Sequence, residues 1–521
     1  MILENLELVL DRDRSIEVAG ECISVLSLTE IDIKRKINEH SEVFIYGTID
    51  STGKESLKGN INKDIKIKSF QAIGGNNSDL LFAGIIEKIE FVTGPISSTF
   101  KIFGKSYSAL LDRTKRKRSF QDIEKTYKEM TDIVLKEGEY SNLLFVQDKN
   151  RDSSIEKLLV QYEETDWEFL KRVYSHLKYP FVLEDGRKLS EDTGSSNSDR
   201  KKWILWIGYP DRGAKDLSYE KSFTEVVDRF GEDYITLQTP NRYEIGDKLK
   251  YNNKIYRVIK ANTYYKGSTI ESEYVLSEEA KVYIPKIFNE NISGKDILAE
   301  VVEVGTGENL TRVRVDFIFD GKSTLESGEA NNMRTSWDKY WFKFSTPYSG
   351  TNTGMYFMPE VKDRLLINFM DNVEGNSYAG ESLRDENKFT DSQTEIGHKR
   401  IKIATGQQLM LSKDLEKVTL IGNDDRTVFA DVVKDHIRFV ADESEAVLNK
   451  DVITFKNYAN TVQMNSEGMI LESGDSSIKT TSSGINLKIG SASISMQDGL
   501  IEIKCGGGSV VVSNGDVNVK G

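Results

Sequence analysis

The feature that most constrains the fold is a repeat in the last part of the chain. The pairs Ile437/Phe439, Ile453/Phe455, Met469/Leu471, Ile485/Leu487, Ile501/Ile503 and Val517/Val519 follow one another at intervals of sixteen residues without a slip. A second series, Val462/Met464, Ile478/Thr480, Ile494/Met496 and Val510/Val512, falls between them at the same interval. Within a pair the residues are two apart, so in an extended strand both point to one side. Polar turns, among them Gly474, Gly490 and Gly506, fill the gaps. The pattern predicts a β-solenoid of about eight residues per strand-and-turn, running from roughly Ile437 to the last residue.

Such a repeat cannot enclose a core alone. A single-chain coil needs three faces, and sixteen residues supply only two short strands. One copy would be a thin ribbon with a wet apolar face. Three intertwined chains remove the difficulty, each giving one face per layer to a triangular prism without long free edges except at the ends. The expected needle core of this homotrimer is Ile453, Phe455, Met469, Leu471, Ile485, Leu487, Ile501, Ile503, Val517 and Val519. Val510, Val512, Val517 and Val519 sit in the terminal layers, where an exposed end calls for a cap from a separate protein.

The totals narrow the class. At 521 residues three or four domains are expected. The net charge, 70 − 83 = −13, argues against a general binder of nucleic acid or anionic membrane. Cys22 and Cys505 lie at opposite ends, which is no disulfide framework and suits a reducing cytoplasm. The first residues, MILENLELVLDRDRS, carry acidic residues within the apolar stretch and no basic start, so no signal peptide is read there. No apolar run approaches the ~20 residues of a membrane helix.

Before the repeat, Met1 to about Val282 reads as mostly β with a helical middle. Glu42–Ile49 and Ile65–Ile73 have strand composition. Ser119–Glu137 places Ile123, Tyr127, Met130, Ile133 and Val134 at helical spacing. A second helix is announced by the capping box Thr165-Asp166-Trp167-Glu168, with Trp167, Leu170, Val173 and Tyr174 as its apolar face. Glu184–Lys202 turns polar and reads as a long exposed loop. Asn241–Ala261 looks like a hairpin turning at Asn252-Asn253. From Ile297 to Leu383, five β runs (ILAEVVEV, TRVRVDFIF, YWFKFSTP, TGMYFMP and RLLINFM) suggest a small closed barrel of the OB type, or else a small sandwich. The expected division is 1–285, 286–395 and 396–521, in a mainly β, multidomain chain.

Four stretches, taken in order, resemble the VgrG family of type VI secretion spikes and the related fused hub-and-needle proteins of contractile phages and extracellular injection systems. LLVQYEETDWEFLKRV (Leu158–Val173) looks like the family's tyrosine–acidic–Asp-Trp-x-Phe-Leu helix start. WFKFSTPYSGTNTGMYFMPEVKDRLLINFMD (Trp341–Asp371) is similar to its OB-barrel signature, with Gly354, Pro359, Glu360 and Val361 in place. IGHKRIKIATGQQLMLSKD (Ile396–Asp414) resembles the run into the needle, and the closing IEIKCGGGSVVVSNGDVNVKG resembles the terminal β-helix. The barrel usually has Gly-Asp after Pro-Glu-Val; here it is Lys362-Asp363.

This resemblance implies a β-barrel hub domain (late control D-like) with helical insertions, an OB-fold domain and a C-terminal trimeric triangular β-helix. It implies a structural homotrimeric spike that sits on a hexameric tube protein among baseplate components. A PAAR-like tip protein would cap its point, and effector cargo could ride with it. Assembly would be cytoplasmic, export would come on firing, and the target membrane would be met only transiently. The alternative reading is a trimeric adhesive tail fibre or receptor-binding protein, which would call for a bulky C-terminal head.

Candidate chemistry is sparse. His40, His176, His398 and His436 are never closer than 38 residues, and no metal-ligand spacing occurs. His436 flanks the needle's first core residue, where three copies could meet an axial ion; an exposed histidine is the plainer reading. Gly506-Gly507-Gly508 precedes a strand and not a helix, so it marks a turn and no phosphate cradle. No catalytic, metal or cofactor residue is assigned and no enzyme activity is expected. Between barrel and needle, Leu383–Ile401 leaves no room for a lysozyme domain, and no toxin domain is read after Val519. The basic run Arg113–Arg118 (RTKRKR) reads as a solvated turn before a helix, with contact to an acidic tube or baseplate surface as the functional alternative. Lys488, Lys504 and Lys520, sixteen apart, read as a solubilising ladder.

Overall fold

Six sheets, counted among the described residues, carry this mainly β chain. The computed structural model describes residues 5–10, 15–18, 21–70, 78–138, 140, 144–148, 152–185, 203–227, 233–266, 269–319, 322–323, 339–351, 353–383, 398–403, 405–412, 417–422, 428–432 and 435–521. Contacts divide it into two units, Met1–Arg384 and Asp385–Gly521. The polar stretch expected as a loop falls, for residues 186–202, outside the described residues.

In the first unit a fourteen-stranded sheet grows outward from a central pairing of Ser27–Lys36 with Lys254–Lys266. On one side follow Glu42–Ile49, Ser98–Ser106, Ser78–Thr93, Asp64–Phe70 and the short strands before Ser24; on the other lie Thr269–Glu278, Asp233–Thr239 and Thr224–Val227. Alternation along these strands builds two separate cores. Ile31, Ile33, Val43, Ile45, Phe82 and Phe100 fill the first, and Leu237, Leu249, Val258, Tyr274 and Leu276 the second. One sheet thus carries two hydrophobic halves joined edge to edge. The hairpin read at Asn252-Asn253 is present: Lys248–Tyr251 pairs with Lys254–Lys266, and both asparagines take positive φ, 46° and 61°, as a type I′ turn requires.

The helical middle forms a third core. The helix Asp166–Ser175 starts at N-cap Thr165, whose hydroxyl accepts from the Glu168 N–H while the Glu168 carboxylate accepts from the Thr165 N–H. Trp167, Leu170, Val173 and Tyr174 are all buried, as their spacing predicts. The other helix is shorter than the expected Ser119–Glu137. It spans Tyr127–Glu137 because a second capping box, Thr126 with Glu129, sets its start, and Ile123 stays partly exposed before it.

The basic run is no solvated turn. Lys115–Phe120 is a strand antiparallel to Leu159–Thr165, and Arg116, Lys117 and Arg118 on it face carboxylates. Arg118 donates to Asp166 and to Glu137, both at 2.6 Å, while Arg116 and Lys117 lie 3.3 and 3.1 Å from Asp166 and Glu163. Asp166 is fully buried, so these pairings hold a buried charge that would be costly alone.

The barrel closes on itself. Arg312–Phe319, Lys295–Val304, Arg364–Phe369 and Tyr378–Ser382 pair in that order, Phe342–Lys343 joins Arg312–Phe319, and a bridge from Phe344 to Ala379 completes the ring. Its core is Ala299, Val301, Val313, Val315, Phe317, Leu365, Ile367 and Phe369, and Val160 from the strand before the capped helix, with Leu158 just ahead of that strand, is buried in it. Two of the five expected runs contribute little. YWFKFSTP supplies the two-residue strand Phe342–Lys343, and TGMYFMP supplies only Thr353–Gly354 of a small hairpin, with Met355, Tyr356 and Phe357 about half exposed. The strand Tyr378–Ser382 takes a place the sequence did not announce.

Candidate assembly surface

The second unit is one fifteen-stranded antiparallel sheet in which each strand pairs only with the strands next to it in sequence. Its regular part begins with His436–Ala441 and steps through Ser444–Asn449, Val452–Asn457 and so on to Asp516–Lys520. Six-residue strands and two-residue turns give the period of eight. Gly474, Gly490 and Gly506 hold the tight turns with φ of 54°, 54° and 57°, a region that costs glycine nothing.

Register converts the repeat into a surface. Ile437 lies opposite Leu448, Leu448 opposite Ile453, Ile453 opposite Met464 and Met464 opposite Met469. The row continues through Thr480, Ile485, Met496, Ile501 and Val512 to Val517. A parallel row runs from Phe439 through Ala446, Phe455, Val462, Leu471, Ile478, Leu487, Ile494, Ile503 and Val510 to Val519. Every expected needle-core residue therefore sits in one of two adjacent rows on one face, together with the intermediate series. Ala446/Leu448 belong to these rows as well; they lie sixteen residues before Val462/Met464, which is the signal that places them.

Among the described residues, nothing in the second unit covers this face. Ile485, Ile501 and Ile503 keep 41, 40 and 41% of their surface exposed, while Val517 and Val519 keep 64 and 75%. Phe439, Phe455, Val462, Leu471, Ile478 and Leu487 line a groove of about 770 Å³ along it. A sheet of this length with one bare apolar face stands far above the few hundred Å² that a soluble monomer commonly shows. Covering it would contribute on the order of 1 kcal/mol for each half-exposed side chain.

The opposite face is mostly polar, with Val440, Val447, Val452, Ile470 and Val511 interspersed, and its register keeps like charges apart. Lys488 faces Ser493, Ser493 faces Lys504, Lys504 faces Ser509 and Ser509 faces Lys520. A serine between successive lysines places them two strand spacings apart, roughly 10 Å, which removes most of the direct repulsion. Cys505 is exposed.

Four strands precede the regular rows in the same sheet, His398–Lys402, Gln408–Ser412, Lys417–Ile421 and Val428–Val432. The sixteen-residue period does not reach them, because their connections are longer and unequal. His436 opens the first regular strand, opposite Asn449.

The geometry defines a mainly β, multi-sheet chain that ends in a one-layered strand ladder. Comparison with known proteins gives no matching family model and no matching curated protein. Among solved structures the chain is similar to the E. coli c3393 protein, described as a type VI secretion component with structural similarity to the T4 bacteriophage tail proteins gp27 and gp5. Identity there is 12% over 69% of this chain and 97% of that one, with a TM-score of 0.47. It is also similar to a chain of a Francisella PdpA–VgrG complex, at 11% identity over 90% of this chain and 87% of that one, TM-score 0.46. A tail protein from Neisseria meningitidis matches at 10% identity over 52% and 98% of the two chains, TM-score 0.37.

Proposed function

We propose that this chain is one subunit of a homotrimeric spike in a contractile injection system, with a mechanical and not an enzymatic role. The observation that carries this reading is the pair of in-register apolar rows along a sheet that has, among the described residues, no second layer. Three such faces turned toward a common axis would bury each other layer by layer, and a one-layered sheet of consecutive strands is what each copy must contribute. In this reading Ile453, Phe455, Met469, Leu471, Ile485, Leu487, Ile501, Ile503, Val517 and Val519 form the axial core of the needle.

The hub and barrel would seat on a hexameric tube protein within a baseplate. Val510, Val512, Val517 and Val519 would receive a PAAR-like tip protein, and effector cargo would travel with the spike. Assembly would be cytoplasmic, with export on firing and only transient contact with the target membrane.

Sedimentation of the purified chain at low micromolar concentration tests the assembly. The expected species is three times the 59.0 kDa chain; a stable monomer at all concentrations would overturn the reading. Deleting Asn514–Gly521 tests the tip. Capture of a small tip protein from the native host should be lost while the trimer persists. Retention of that partner by the shortened chain would remove the docking assignment.

A further inference from the structure

The apolar face of the second unit differs between its two margins. Each strand places three side chains on it. On Gly468–Ser473 they are Met469, Leu471 and Ser473; on Ser476–Thr481 they are Thr480, Ile478 and Ser476. The Phe439 row thus runs down the middle, with the Ile437 row along one margin. Register sets a third row along the other: Ala441 beside Ser444, Asn457 beside Asn460, Ser473 beside Ser476. These side chains are short or polar, whereas the Ile437 row is long and apolar apart from Thr480.

The groove of about 770 Å³ follows that difference. It lies over the middle row and the short margin, and no residue of the Ile437 row lines it. It ends at Ile489, the first long apolar side chain on the short margin, which is 71% exposed. The charged residues on its rim are Glu445, Lys456, Glu472 and Lys488, two of each sign, so the groove asks for no net charge in what fills it.

Its occupant must repeat as the lining does. The lining recurs every sixteen residues, two strand spacings or roughly 10 Å. A second copy of the ladder carries that period by construction. On that copy the Ile437 row is uncharged, stands at the opposite margin and is left outside its own groove. Side-chain size sets the height: Phe439, Phe455, Leu471, Leu487, Ile503 and Val519 shrink along the chain. Copies at equal height give layers of uniform size, whereas a shift by one period sets a phenylalanine level with a leucine and fills the layers unevenly.

We propose that copies of this chain join head to tail around a common axis, the Ile437 row of each seated at equal height in the groove of the next. The proposal rests on the trimer put forward above and adds which margins meet. Such a contact is heterologous, joining two different surfaces, and it closes when the third copy returns to the first. Like rows meeting face to face would instead close with two copies.

Cysteine cross-linking of the full chain tests it. Ser476 and Thr480 lie four residues apart on one extended strand, about 13 Å, too far for a disulfide within a copy. Mild oxidation of a Ser476→Cys/Thr480→Cys double variant should give a covalent species of three chains. Either single variant should cross-link no more than the parent, whose Cys22 and Cys505 set the background. Met469→Cys/Ser473→Cys, one strand earlier, repeats the test if the first pair fails to assemble. Without any bond, Ser476→Trp should fill the groove and weaken the trimer at least tenfold, whereas Ser495→Trp, on the opposite face, should assemble as the parent does. Cross-linking by a single variant would show like rows in contact and overturn the proposal. A double variant that sediments as a trimer yet stays unlinked, or unchanged assembly of Ser476→Trp, overturns it too, and both leave the trimer standing. A parent that sediments only as a monomer removes the trimer and this proposal together.

Discussion

Arg172 and Glu374, 202 residues apart in sequence, meet in the interior of the first unit, with the guanidinium Nη1 donating to the carboxylate at 2.7 Å. Arg172 belongs to the capped helix and Glu374 to the barrel's last turn before Tyr378–Ser382. The same guanidinium donates to both oxygens of Glu164, at 2.6 and 2.9 Å, and to the Val160 carbonyl at 3.0 Å. Burial pushes Glu164 up and works against the charge on Arg172; Glu374 and Glu164 together hold the arginine above its ordinary value. The helix and the barrel are thereby tied by a buried ionic cluster as well as by the apolar contacts of Leu158 and Val160.

Glu374→Ala should leave that cluster with one carboxylate fewer. The expected loss is about 3 kcal/mol of stability, because removing one partner strands a buried charge. Urea unfolding of the parent and the variant measures it. Glu374→Gln, which keeps a hydrogen-bond acceptor, should lose less. A change below about 1 kcal/mol in the alanine variant would show that the pairing does not hold the barrel.

Leu487→Asp should place a carboxylate in the apolar row between Ile478 and Ile494. In a trimer three such charges share one layer, each costing several kcal/mol to bury. Loss of the trimer in sedimentation is expected, whereas Lys488→Asp, on the polar face, should assemble normally. A Leu487→Asp protein that assembles and melts like the parent would falsify the inward assignment of these rows.

Lys362 adopts φ of 76°, the conformation that the glycine usual at this place in the resembled family takes without strain. Its N–H nevertheless donates to the Val301 carbonyl at 2.8 Å, so the lysine is held in that geometry by the barrel. Lys362→Gly should raise stability by about 1 kcal/mol through relief of this strain. Thermal melting checks the sign: no gain, or a loss, would mean that the lysine side chain offsets its backbone cost.

His40 provides the pH dependence. Its folded pKa lies below the ordinary histidine value, with burial as the main cause. The unfolded chain therefore takes up the proton first, and the stability contributed by neutral His40 is present above about pH 6.5. That stability is lost as pH falls from there through the folded pKa. Unfolding midpoints at pH 7.5 and 5.5 should fall further in the parent than in His40→Gln, where His176 and the carboxylates supply the same background. Equal slopes in the two proteins would exclude His40 as a contributor.

What could be read from the sequence depended on how local the determining contacts are. The ladder was legible because each strand's partners are its immediate neighbours, so the period alone places Ile485 beside Met496. Its first four strands escaped since unequal connections erase a period without changing the pairing. Thr165 and Glu168 mark their helix start openly in the sequence, whereas Thr126 and Glu129 lie within a helical spacing that runs back to Ser119 and hides the boundary. The basic strand was hidden for a different reason: Lys115–Phe120 looks like solvent-facing charge until the distant Asp166, Glu137 and Glu163 are brought up to it. In the barrel, YAGES lacks the branched and aromatic residues of a strand, and TGMYFMP has them but keeps them outside. The approach of Lys36 to Lys260 could not be foreseen, because it arises only through a long-range strand pairing.

The strict succession of strands in the ladder makes its length a free parameter. Removing Gly474–Ile489 takes out one full period, two strands of the sheet, and leaves Ser473 followed by Gly's successor in phase, Gly490. The rows on both faces then reconnect without changing sides, and the ladder shortens by about 10 Å. Duplication of the same sixteen residues lengthens it by as much. A ruler of this kind can be recut in whole steps without redesign of any core, so the length of the ladder can change while the first unit keeps its sequence.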